Sequence, residues 1–165
     1  MSLLGAYSKQ PVEVEIYSIQ FAKDLALTDE IQGAWGIISR ELTTAWNQVE
    51  QTIPYTLQAT DAEQIIVTSA SVTLPTTFAA GYRVTIANKS QSLGISVGAF
   101  YIPARGSAVL VYSGTDWSIE AKTECILVNA LNDQRVRTRV FSGTPWETYK
   151  VQVTVDTAEG RTLQD

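Results

Sequence analysis

Residues 134–163 read QRVRTRVFSGTPWETYKVQVTVDTAEGRTL, and their pattern decides the fold class. Two alternating segments meet at Gly143-Thr144-Pro145. In the second, Tyr149, Val151, Val153 and Val155 line one face, and Lys150, Gln152, Thr154 and Asp156 line the other. Alternation of period two sends successive side chains to opposite faces of a strand, so the reading is of a strand with one packed face and one wet face. The chain turns again at Ala158-Glu159-Gly160. No catalytic residue type clusters here, and a chain whose clearest signal is sheet pairing reads as one built to bind and assemble.

The same pattern continues toward the amino terminus. Residues 12–19 alternate as a half-buried strand, and a second strand begins at Ile31 with Ile31, Gly33, Trp35 and Ile37 on one face. Between them, FAKDLALTD has no alternation and reads as a turn. Leu42, Ala45, Trp46, Val49 and Ile53 fall at helical spacing, which fits either a short amphipathic helix or an irregular connector pinned by Trp46; Pro54 closes the segment. From Tyr55 to Lys122 come short runs, QIIVT, SVTLP, YRVTIAN, GISVGA, SAVLVYS and DWSIEA, punctuated by Gly, Pro, Asn or Ser. That spacing marks a β-sandwich or small barrel, with no clean internal repeat. The chain is therefore expected to be all-β.

Composition narrows the function. With 165 residues and 45% hydrophobic side chains, the chain can cover a core without disulfides or a structural metal. It has no histidine, so the commonest general base and most zinc sites are missing, and the expectation is a protein that is not an enzyme and uses no cofactor. Cys125 is the one thiol and reads as a small core hydrophobe. A net charge of −5 argues against coating bulk nucleic acid. The apolar run near the amino terminus lacks a basic n-region, and no stretch approaches a membrane span, so the expectation is a soluble, cytoplasmically made chain without a membrane partner.

Two sets of motifs carry a resemblance. Lys9-Gln10-Pro11, Asp24-Leu25, the run from Asp29 to Ile37, the run from Phe141 to Val155, and Gly160-Arg161-Thr162 together resemble the small Ig-like fibre-tail adaptor proteins of tailed bacteriophages, which sit at the collar between head and tail. Val72-Thr73-Leu74-Pro75, the run from Gly81 to Ile86, and Gly114-Thr115-Asp116-Trp117 are similar to a β-module common in phage tail and fibre proteins. The resemblance implies an Ig-like β-sandwich made of residues 1–52 and 123–165, interrupted by a second small inserted β-sandwich or barrel at 53–122. Insertion is tolerated when a module's ends lie close together, so residues 51–55 and 122–125 are expected side by side. Adaptors of this type continue into a final strand after the Gly-Arg turn, whereas here Gln164-Asp165 follow closely, so either a neighbouring subunit supplies that strand or the sheet keeps an open edge.

The function implied is that of a structural virion protein made in the host cytoplasm. It would assemble as a ring with copies of itself and dock portal, connector, collar or tail-fibre proteins at the head-tail region. Arg135, Arg137 and Arg139 alternate and form a basic stripe suited to an acidic partner, although an ordinary solvated sheet face gives the same pattern. Glu13 and Glu15 form the acidic counterpart, so the acidic strand of one copy could meet the basic strand of the next. Trp146, after Pro145, and the Phe100-Tyr101 to Arg105 loop are further interface candidates. The rival reading is a carbohydrate- or receptor-binding module of a fibre, with Trp117, Tyr101 or Trp146 stacking on sugar rings, against which stands plain packing of these aromatics. Asp24, Asp29 and Glu30 lack the spacing of a cation loop and read as solvated turn carboxylates.

Overall fold

A computed structural model describes residues 15–21, 30–40, 48–130, 133–145, 147–160 and 162–164. Fourteen strands follow one another: β1 Glu15–Gln20, β2 Ile31–Arg40, β3 Gln48–Gln51, β4 Tyr55–Thr56, β5 Ile65–Thr68, β6 Val72–Thr73, β7 Arg83–Asn88, β8 Ile95–Val97, β9 Phe100–Ile102, β10 Ser107–Tyr112, β11 Trp117–Ala130, β12 Asp133–Ser142, β13 Tyr149–Thr157 and β14 Thr162–Gln164. The chain is all-β, as its alternation implies. The strands form a seven-stranded sheet, β1-β12-β11-β10-β7-β5-β3, a three-stranded sheet, β14-β13-β2, and a four-stranded sheet, β4-β6-β8-β9.

The middle of the chain is two stacked sheets, as a sandwich is, yet its first six strands run parallel within them. β3, β5 and β7 pair in parallel in the large sheet, and β4, β6 and β8 do so in the small one. The chain therefore winds three coils, each laying one strand on either sheet. Ile66, Val84, Ile86 and Leu110 of the large sheet pack against Val72, Ile95, Val97 and Ile102 of the small one. Asn88 fastens the third coil, because its buried amide donates to the carbonyls of Leu93, Ile102 and Pro103 at 2.9, 3.3 and 3.0 Å. An aromatic cluster caps the structure: Phe78 stacks on Tyr82 with centroids 4.1 Å apart, and Trp117 meets both rings edge-on.

The large sheet passes without a break from the coils into β11, β12 and β1. Four strand steps separate β3 from β11, about 19 Å at the usual strand spacing. Residues 51–55 and 122–125 are consequently not side by side. The middle joins its neighbours by extending their sheet rather than by closing on a pair of adjacent ends. Gln48–Gln51, assigned above to a helix or connector, is strand β3; residues 41–47 lie outside the described residues, as do Glu13 and Trp146.

β2 and β13 are covered on both faces by this one sheet. Ile38 packs with Val109, Ala121 and Val140, while Ile37 packs with Ile65, Val67 and Ala87. Neighbouring residues of a strand point opposite ways, so the large sheet bends around β2. The wet face expected for β13 is accordingly dry in part: Gln152 and Thr154 are 8% and 1% exposed. A register shift at Asp156/Thr157 opposite β2 moves Ile31 into the cluster of Ala34, Val153 and Val155, away from the Gly33, Trp35 and Ile37 face expected to hold it. The Gly143 turn, with Ser142 and Gly143 at φ 59 and 124, carries the chain from the large sheet to the three-stranded one. After the second turn a short final strand does form, with β14 pairing along Thr154–Asp156 of β13.

The free edge of β2 is sealed from within. The outward N–H groups of Ala34, Gly36 and Ile38 donate to Gln91 Oε1 at 2.9 Å, Arg105 O at 3.0 Å and Ser107 Oγ at 2.9 Å. Among the described residues, the outer edges of β1 and β3 carry no strand partner.

Candidate functional site

β1, β12 and β11 present one uncovered face. Residues opposite in an antiparallel ladder share a face, so the pairing Ile16↔Arg139↔Glu124 and Ser18↔Arg137↔Ile126 sets out its rows. The inward positions Val136, Thr138 and Val140 are buried against β2 and β13, which turns the three arginines outward. Arg137 and Arg139 are exposed and form no ion pair among the described residues; Arg135 is half-buried. Glu124 sits opposite Arg139 but pairs with Lys122 at 3.7 Å, and Lys122 also lies 4.8 Å over the Phe141 ring. Ile16 and Ile126 flank the arginines, 60% and 42% exposed. The face is thus cationic with apolar flanks, in a chain of net charge −5.

The other expected contact residues are scattered. Glu15 pairs with Val140 of the arginine strand itself, so the acidic and basic strands are neighbours within one chain. Phe100 packs into the coil core. Arg105 is half-buried and turned to internal work, with φ 64, its Nε donating to Gln91 Oε1 at 3.1 Å and its carbonyl accepting from Gly36. Tyr101 is exposed at 67%, with its ring end laid on Gly94. Trp117 is no open stacking platform, since its Nε1 donates to Pro75 O at 2.8 Å and its ring sits among Phe78, Tyr82 and Tyr112.

A second surface was not signalled by the sequence. Where the large sheet bends away from the start of β2 there is an open cavity of about 800 Å³, lined by Gln32, Gly33, Trp35, Glu50, Ser69, Lys89 and Asp156 among others. Glu50 and Lys89 form an ion pair across it. Trp35 Nε1 is buried without a hydrogen-bond partner, and so is the hydroxyl of Thr154, directly opposite Trp35 in the ladder. A tryptophan in an alternating strand reads as core, and only the geometry shows its ring edge beside a polar hollow.

A part-buried network ties the two halves together. Glu120 of β11 accepts from Arg83 Nε of β7 at 2.6 Å, from Thr144 Oγ1 at 3.2 Å and from the Tyr149 hydroxyl of β13. Burial alone raises a carboxylate's pKa, but these donors outweigh it and leave Glu120 below its ordinary value. Burial pushes the Cys125 thiol up to about 11, so it stays protonated and inert near neutral pH. Among the described residues no group of three or more metal-ligating side chains gathers.

Comparison with known proteins finds no family model, no curated protein and no solved structure that matches the chain.

Proposed function

We propose that this chain is a structural protein of a tailed-phage particle, working at the head-tail collar and docking through the open face of β1, β12 and β11. The observation that carries the reading is the outward pair Arg137 and Arg139, exposed between Ile16 and Ile126 on a face that nothing in the described chain covers. Arginine beside aliphatic surface is a composition enriched at protein interfaces. The occupant we assign is a second copy of the chain. This face is net positive, so the rest of the chain carries more than the whole negative charge, and a heterologous contact between unlike surfaces closes into a ring when its rotation permits. The motifs shared with collar adaptors supply the location and the further partners, connector and fibre proteins.

The test of location is a reconstruction of purified particles. Density for the chain in a ring at the head-tail vertex is expected; particles that lack the chain, or carry it only at fibre tips, would overturn the reading.

A further inference from the structure

We infer that the hollow at the start of β2 is the seat for the arginine face of a neighbouring copy, with Arg137 and Arg139 of one chain reaching Glu50 and Asp156 of the next; this rests on the self-docking proposed for that face and names the surface that completes it. The hollow is lined by two carboxylates, Glu50 and Asp156, against one ammonium, Lys89, so it is net negative. Its volume of about 800 Å³ lies in the range of clefts that enclose small molecules, roughly 300–1,000 Å³, and it admits side chains from outside.

Both sides of the contact are accessible. The Glu50 side chain is 59% exposed although Lys89 pairs with it, and Asp156 is half-buried, with one oxygen accepting from the Thr162 hydroxyl at 2.8 Å. An ionised carboxylate has about four acceptor sites, so each retains room for a guanidinium. Among the described residues Arg40, Arg83, Lys89 and Lys122 are held in ion pairs within the chain, whereas Arg137 and Arg139 are exposed and enter none. The two arginines stand two residues apart on β12, their Cα atoms about 7 Å from each other, and offer two cations to two carboxylates. Half-buried Trp35 gives the hollow an aromatic wall, against which a guanidinium and its stem pack. The placement suits a head-to-tail contact. The arginines project from the outer face of the large sheet, while Val67 of the hollow lies on the face that packs against Ile37 of β2. Seat and arginine face share no residue, so one copy can use both at once, as a heterologous contact requires.

The experiment is sedimentation velocity on the full chain, on Glu50→Lys, on Glu50→Lys with Asp156→Lys, and on an equimolar mixture of that double variant with the double variant Arg137→Glu, Arg139→Glu. Near-ultraviolet circular dichroism is the fold check, and Glu50→Lys, which alters one exposed side chain, decides the matter by itself where Asp156→Lys disturbs β13. Association is expected to weaken about tenfold in Glu50→Lys and to fall to monomer in the hollow double variant. The mixture is expected to regain an oligomer, because each arginine face then meets an acidic hollow and each reversed face a basic one. If the arginine reversals break the parent oligomer while neither hollow variant weakens it, the seat lies elsewhere and the self-docking of the arginine face stands without it. Loss of assembly in correctly folded hollow variants with no recovery in the mixture also overturns the seat. A parent that is monomeric overturns seat and self-docking together.

Discussion

Glu120 joins distant parts of the fold through one side chain. Its carboxylate is 5% exposed and holds Arg83, Thr144 and Tyr149, groups from three separate parts of the chain. Glu120→Gln keeps the shape but discards the charge opposite a partly buried guanidinium, so a loss of about 2 kcal/mol in urea unfolding is expected. The pH dependence follows from the direction of the shift. A carboxylate held lower in the folded state than in the unfolded one stabilises the fold above its unfolded pKa, and that contribution is lost as pH falls through the folded value. From the ordinary value of 4.5 downward, the parent should therefore lose stability more steeply than Glu120→Gln. At Cys125, 5% exposed with Sγ 3.2 Å from Thr138 Oγ1, a thiol reagent should react only as fast as the protein opens; rapid labelling of the folded chain would contradict the burial. The inert thiol was legible in its strand position. Glu120 was not, because nothing in DWSIEA says which partners a bend of the sheet brings to it.

At the scale of elements, β2 depends on close approach. A Cβ on Gly36 would stand 2.4 Å from Cys125 Sγ, so Gly36→Ala forces β2 away from β11 at a cost of about 1–3 kcal/mol. Pairing it with Cys125→Ala removes the sulfur and should recover much of the loss, a coupling that a double-mutant cycle reads directly; strict additivity would place the strain elsewhere. Strand positions were largely readable, since alternation marks them wherever one face is wet. Strand direction was not: parallel and antiparallel strands alternate alike, and coils of unequal length, Gln48 beside Ile65 and Ile65 beside Thr85, hide a repeat from inspection. The bulge in β2 misled the assignment of its faces for the same local reason, as one extra residue inverts every side chain beyond it. The place of Trp35 at the hollow was not legible because a strand tryptophan beside a hollow and one inside a core have the same sequence pattern.

The molecule as a whole is held by a single bent sheet that serves four hydrophobic clusters. Because β11 runs from the aromatic cap to the arginine face without interruption, unfolding in urea should proceed as one transition followed alike by fluorescence and circular dichroism; two separated transitions would mean that the coils stand apart from the rest. The same continuity leaves the outer face of β1, β12 and β11 free, and there charge reversal is a clean instrument. Arg137→Glu with Arg139→Glu touches exposed side chains only, so stability should stay within about 0.5 kcal/mol of the parent. The most direct measurement is sedimentation velocity of the parent and of this double variant over a range of protein and salt concentrations. A closed oligomer that weakens with salt and falls to monomer in the double variant is the result our account requires; a parent that stays monomeric throughout, or an oligomer indifferent to both reversals, contradicts it.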